Sequence, residues 1–173
     1  MIKSFDPFYK ENTFYEYNLN ITKKEKDHIE IILSDNTLKQ YNINNPSDKF
    51  HHISTYERSH NFLDVPLLKN LKKQISDILT LQDLQIEMSW AQLYNKGNRH
   101  MVHTHELSIL SGIVYLNGDS PTVFYSKHFH QYYHKFKKDT LLLFPSHIPH
   151  EVHTLNKNEK RMIISFNTGE KND

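Results

Sequence analysis

Two histidines spaced one residue apart, His103 and His105 in "HMVHTHEL", stand directly before the apolar run "SILSGIVYLN". Residues two apart on a β-strand share a face with Cα atoms about 6.6 Å apart, so two imidazoles placed this way can converge on one ion. Leu107 and Ile109 continue the same parity, which predicts that the pair sits at the mouth of an apolar interior. His100, three positions from His103, has the opposite parity and is expected to face away. A third ligand has to come from elsewhere, and "FPSHIPHEVHTL" offers His147, His150 and His153. Pro145 and Pro149 mark "PSHIP" as a turn, so His150 opens the next strand and His153 takes its other face. His150 is the best-placed third ligand. Three protein ligands leave coordination positions free, as catalysis at a metal requires.

Eleven positions beyond His150, Arg161 opens the segment "RMIISFN". Alternation puts Arg161, Ile163 and Ser165 on one face and Met162, Ile164 and Phe166 on the other. A guanidinium offers a carboxylate a planar two-pronged fork, and its charge is costly if left unpaired inside a protein. Arg161 is therefore a candidate carboxylate anchor beside the metal. Nine of the thirteen histidines (100, 103, 105, 128, 130, 134, 147, 150 and 153) lie beyond residue 99. Because histidine is the commonest metal ligand and titrates nearest neutrality, this clustering assigns metal or acid–base chemistry to the C-terminal half.

The composition excludes several alternatives. With no cysteine, the chain has no disulfide framework, thiolate zinc site or cysteine nucleophile. A net charge of +1 supplies no field toward nucleic acid or an anionic membrane, so a small molecule, a peptide or another protein is the expected partner, and homo-oligomerisation stays open. The opening "MIKSFDPFYKEN" lacks the apolar stretch of a signal peptide, and no run approaches the roughly 18 apolar residues of a spanning helix. The expectation is a soluble cytoplasmic protein. At 173 residues one domain is expected over 1–173, with a supporting region at 1–83 and a catalytic core at 84–168.

The elements follow from periodicity. "TKKEKDHIEIIL" reads either as a helix begun by a Thr22/Glu25 capping box or as a strand starting near His28. In "DVPLLKNLKKQISDIL", Asp64 can cap, Pro66 suits a first turn, and Leu67, Leu68, Leu71, Ile75, Ile78 and Leu79 recur at helical spacing, which predicts an amphipathic helix. From Leu84 onward the period becomes two, or short apolar runs: "LQIEMSWAQLY", "SILSGIVYLN", "TVFYS", "TLLLFP", "EVHTL" and "RMIISFN", most of them divided by turn-prone residues. Many short strands after a helix predict a mainly β protein, a sandwich or jelly roll with helices packed outside. Trp90, Tyr94, Phe124 and Phe144 are expected as core aromatics, and "KHFHQYYHKF" as a solvent-facing hairpin.

Three blocks, "HTHELSILSGIVYLN", "LLLFPSHIPHEV" and "RMIISFN", resemble the H-x-H…SG-x-x-Y, LFPS…H-x-V and R-x-x-x-SFN blocks of 2OG-Fe(II) oxygenases of the marine bacterial and phage type. The likeness spans roughly residues 86–168. It implies a double-stranded β-helix, Fe(II) held by His103, His105 and His150, and 2-oxoglutarate held by Arg161 with Tyr115 and Ser165 in the same pocket. Most iron and 2-oxoglutarate oxygenases carry H-x-D, and the neutral His105 in place of the carboxylate leaves one more positive charge at the metal. Glu106 is adjacent, but strand parity points it to the opposite face unless a bulge brings it in. The spacings at Gly97 and Pro145 also resemble the two cupin motifs, which imply a metalloenzyme that does not use 2-oxoglutarate. The cupin glutamate is missing, since Ile109 or Leu110 stands in its place. A third reading is a non-enzymatic β-sandwich binding module, which predicts no stoichiometric metal.

Overall fold

The structure, a computed structural model, describes residues 2–8, 12–36, 38, 52–56, 61–105, 107–156 and 158–171. Its first helix, α1 (Lys23–Ser34), settles the ambiguity of the N-terminal segment: the Thr22 side chain accepts from Glu25 N–H, and the Glu25 side chain accepts from Thr22 N–H. The capping box wins because it satisfies two orphan donors of the first turn at once. Helix α2 (Lys69–Thr80) starts later than expected, after two short 3-10 turns at Phe62–Asp64 and Pro66–Leu68. Asp64 does not cap it, and its carboxylate instead meets Lys72. Leu71, Ile75 and Leu79 are buried as their spacing predicts, whereas Leu67 is left exposed in the preceding turn.

Among the described residues eleven strands form two sheets. They are β1 (Ile2–Phe5), β2 (Phe14–Asn18), β3 (Ile53–Ser54), β4 (Leu84–Tyr94), β5 (His100–His103), β6 (Leu110–Asn117), β7 (Thr122–Tyr125), β8 (Gln131–His134), β9 (Thr140–Pro145), β10 (His150–Val152) and β11 (Arg161–Glu170). The larger sheet runs β1-β2-β9-β6-β11-β4-β3 and the smaller β5-β10-β7-β8, with antiparallel pairing between the strands. The fold is a double-stranded β-helix with α1 and α2 packed outside it.

The larger sheet has apolar residues on both faces, which is why "LLLF" and "GIVYL" read as continuous apolar runs. Val114, Leu116, Leu141, Leu143, Met162, Ile164 and Phe166 share one cluster with Ile29 and Leu33 of α1 and Leu71, Ile75 and Leu79 of α2. Their strand neighbours Ile113, Tyr115, Leu142, Phe144 and Ile163 join Phe124 and Val152 of the smaller sheet in a second cluster. This second face is the interior that receives the polar side chains of the site.

Gly112 on β6 faces Phe166 across the β6/β11 ladder, and a Cβ built there would lie 2.1 Å from the Phe166 ring. Phe166 is fully buried. Gly112→Ala should therefore destabilise the fold by about 1–3 kcal/mol, read as a lower urea midpoint at unchanged slope.

The β7/β8 hairpin matches its expected position but not its expected exposure at one residue. His134 is only 3% exposed, packed against Tyr115 and Phe5, with Nε2 3.7 Å from a Glu16 oxygen and without a hydrogen-bond partner. It is buried because β1 and β2 extend the larger sheet and bring Phe5 and Glu16 over the hairpin. Burial pushes its pKa from the usual 6.5 down to about 4, with Glu16 opposing and Lys3 and Lys137 adding to the shift. The unfolded ring takes up a proton below pH 6.5 while the folded ring stays neutral. This contribution is therefore complete above pH 6.5 and declines as pH falls toward 4, by about 3 kcal/mol in all. His134→Gln, which cannot titrate, should flatten the fall in urea midpoint between pH 7 and pH 4.5 relative to the parent protein.

Candidate functional site

Three of the predicted residues come together at one end of the interior. His103 closes β5, His150 opens β10 directly opposite it, and His105 follows β5 in a loop whose backbone N–H donates to Ser146 O at 2.9 Å. Ring centroids stand 4.2 Å apart for His103–His150, 5.1 Å for His103–His105 and 5.3 Å for His105–His150. One ring nitrogen from each lies within 4.8 Å of the others. His103 Nδ1 donates to Met101 O at 2.8 Å and His150 Nδ1 to Ile148 O at 3.0 Å. A carbonyl can only accept, so each Nδ1 carries the proton and each Nε2 keeps its lone pair for an ion.

Burial, then the neighbouring His103, lowers His105 to about 4 and holds His150 well below 6.5. Both rings are neutral at physiological pH, the form a metal binds. Among the described residues the donor set is thus three imidazoles with no carboxylate. Glu106 lies outside the described residues.

The route to this arrangement differs from the parity argument. β5 ends at His103, so His105, Leu107 and Ile109 do not continue one strand face; Leu107 is fully exposed and Ile109 46% exposed. His105 reaches the site through the loop. His100, expected to face away, is buried with its ring stacked on His103 at 4.0 Å and its Nδ1 3.3 Å from the Tyr94 hydroxyl. The cause is the register irregularity between His150 and Val152, which pairs His103 with His150 but His100 with Val152 and so breaks the alternation of β5.

Arg161 begins β11 opposite Tyr94 and is fully buried. Its Nη2 donates to Thr122 Oγ1 at 2.8 Å and its Nε to Ser120 O at 3.3 Å, while Nη1 has no acceptor. The guanidinium lies 5.0 Å over the Tyr94 ring, with Tyr115 and Phe136 further out. No carboxylate pairs with it among the described residues, and burial lowers its pKa. Gly118 backs the arginine: a Cβ there would stand 2.9 Å from Arg161 Cα, and its φ of +120° suits only glycine. An unpaired buried cation is costly, and a fork with one free prong is a receptor for an anion.

One cavity joins the two features, lined among others by His103, His105, His150, Arg161, Thr122 and Ser165. Tyr115 stands behind its wall, fully buried, with its hydroxyl 2.9 Å from Thr122 Oγ1. Ser165 reaches the cavity but donates its hydroxyl proton to Gln92 Oε1 at 3.0 Å. Gln92 Nε2 in turn donates to His52 Nε2 at 2.9 Å, and the His52 ring stacks on Tyr94 at 4.2 Å. Sequence reasoning missed Thr122, Gln92, His52 and His100, and it placed Trp90 and Tyr94 in the core alone, although both line this cavity. The even parity of Trp90, Gln92 and Tyr94 on β4, opposite the odd parity of Ser165, Ile163 and Arg161 on β11, was the available signal.

No protein-family model and no curated protein matches the chain. Its fold matches solved structures. A prolyl-4-hydroxylase from Pseudomonas putida superposes with a TM-score of 0.61 over 89% of this chain and 91% of that one, at 12% identity. The viral collagen prolyl hydroxylase of Paramecium Bursaria Chlorella virus-1, solved as its 2OG complex, gives 0.59 over 90% and 94% at 10% identity. A prolyl hydroxylase from Trichoplax adhaerens, in complex with a hypoxia inducible factor peptide fragment, gives 0.60 over 89% and 82% at 15% identity. The chain thus has the double-stranded β-helix fold of 2OG oxygenases. No helix among the described residues is long and apolar enough to cross a membrane.

Proposed function

We propose that this chain is an Fe(II)- and 2-oxoglutarate-dependent oxygenase, with His103, His105 and His150 holding the metal and Arg161 holding the distal carboxylate of 2-oxoglutarate. The observation that carries this reading is the fully buried Arg161, whose Nη1 lacks an acceptor in the cavity that the three imidazoles line. A divalent ion on three neutral ligands together with this guanidinium supplies +3, and Glu151, the one carboxylate among the described lining residues, which accepts from Tyr125 and contacts His153, leaves +2. A dianion is what that charge calls for.

Arg161 is fixed to Thr122, and His150 pairs with Phe124 two residues further along β7, so one strand carries the partners of both the guanidinium and the third imidazole. The likeness to a viral hydroxylase solved with 2OG adds to the argument.

The chain's own residues then have separate tasks. Thr122 and Ser120 aim the guanidinium, Tyr115 holds Thr122, and Tyr94 supports it from below. Ile113, Phe144, Val152 and Ile163 line the cavity with apolar surface, which strengthens the charge pairing at Arg161 by excluding water. The Nδ1 bonds of His103 and His150 hold their Nε2 atoms ready for the ion. When bound, Fe(II) supplies the redox chemistry that couples decarboxylation of 2-oxoglutarate to oxidation of a small-molecule or peptide substrate.

The test is anaerobic addition of Fe(II) followed by 2-oxoglutarate. The expected result is one iron per chain and a weak visible charge-transfer band that appears only with the second addition. Iron without the band would favour a cupin-type enzyme, and no iron at all a binding module.

A further inference from the structure

A second unsatisfied donor lines the same cavity. Trp90, the only tryptophan of the chain, is 3% exposed, and its indole Nε1 has no hydrogen-bond partner. An indole N–H can donate and cannot accept, and a buried tryptophan ordinarily finds an acceptor for it. The ring stands 5.9 Å from the ring of His105 and meets Tyr56 edge-on at 5.0 Å. Tyr56 is 37% exposed, so an aromatic wall runs from solvent to the histidine group.

The position of Trp90 separates it from the arginine. Across the β4/β11 ladder Trp90 pairs with Ser165, Gln92 with Ile163, and Tyr94 with Arg161. The residues that bear the two orphan donors therefore stand four register positions apart on one strand pair, about 13 Å along its backbone. One is a cation at the end already assigned to a carboxylate. The other is neutral, and the polar residues near it in the wall, Ser165, Gln92 and Ser111, are neutral and bonded to one another or to neighbours. A carboxylate would be poorly served there; a neutral carbonyl oxygen would satisfy the indole without importing charge.

We propose that Trp90 and His105 border the subsite for the molecule that is oxidised, and that this molecule presents an amide-type carbonyl oxygen to Trp90 Nε1. That it is oxidised there rests on the oxygenase reading above. The subsite itself is built by protein side chains and is testable without metal.

A single tryptophan yields a single indole resonance in a ¹H–¹⁵N spectrum. Acetamide, the smallest amide carbonyl, and acetate, the smallest carboxylate, are titrated against the full chain, first metal-free and then loaded with Zn(II) and 2-oxoglutarate. Acetamide should move the indole proton downfield along a saturable curve in both states, with at least a threefold larger limiting shift than acetate. Val102→Thr, at an exposed position of β5, should leave the titration unchanged. An unresponsive or linearly drifting indole signal in both states, or an equal response to acetate, would overturn the proposal. Failure of the protein to take up Zn(II) or 2-oxoglutarate would instead count against the oxygenase reading, since the metal-free titration stands apart from it.

Discussion

Arg161→Ala should raise the 2-oxoglutarate concentration needed for half-saturation about 100-fold while metal content per chain stays unchanged. The factor corresponds to about 3 kcal/mol, the usual scale for losing a buried charge-assisted fork to a carboxylate. Metal content is the discriminating control because Arg161 touches none of the three histidines; its partners are Thr122, Ser120 and the aromatic rings. Arg161→Met is the sharper variant. It keeps most of the side-chain volume and removes a cation that no carboxylate among the described residues neutralises, so the ligand-free protein should melt no lower than the parent. The parent should gain thermal stability when 2-oxoglutarate is added to the metal-loaded form, and Arg161→Met should lose that gain. Equal loss of metal and 2-oxoglutarate in both variants would show that Arg161 acts on the fold and not as an anchor.

His150→Ala should weaken metal binding by at least about 100-fold, read as metal retained per chain after dialysis. His150 is the member of the group that two strands fix: it pairs with His103 on β5 and Phe124 on β7, and its Nδ1 is tied to Ile148 O. His103→Ala and His105→Ala should each lower metal retention as well. His153→Ala supplies the contrast. It lies three residues away, half-exposed beside Glu151, and should leave metal content unaltered. If His150→Ala and His153→Ala retained metal equally, the ion would not sit among residues 103, 105 and 150.

Much of this site is legible in one dimension because its parts lie on short, regular stretches. The turn "PSHIP" does place His150 at the head of a strand, and the alternation of "RMIISFN" does put Arg161, Ile163 and Ser165 on the interior face with Met162 and Ile164 toward the helices. Alternation fails where the strand does. The irregular pairing of β5 with β10 turns His100 inward, and the early end of β5 leaves Leu107 in solvent. Neither is visible in residue types, since both depend on what β10 offers β5 across the ladder.

Residue order by itself determined the mainly β fold with outer helices, the amphipathic face of α2, and the set of candidate ligands, because periodicity and turn chemistry act between residues near in sequence. Only the tertiary structure decided that, among the described residues, the guanidinium of residue 161 is buried without a counter-charge and the indole of Trp90 lacks an acceptor, and that Tyr115 reaches the guanidinium through Thr122. These are properties of side chains brought together from different strands, and an unmet hydrogen bond or charge exists only once every neighbour has been placed.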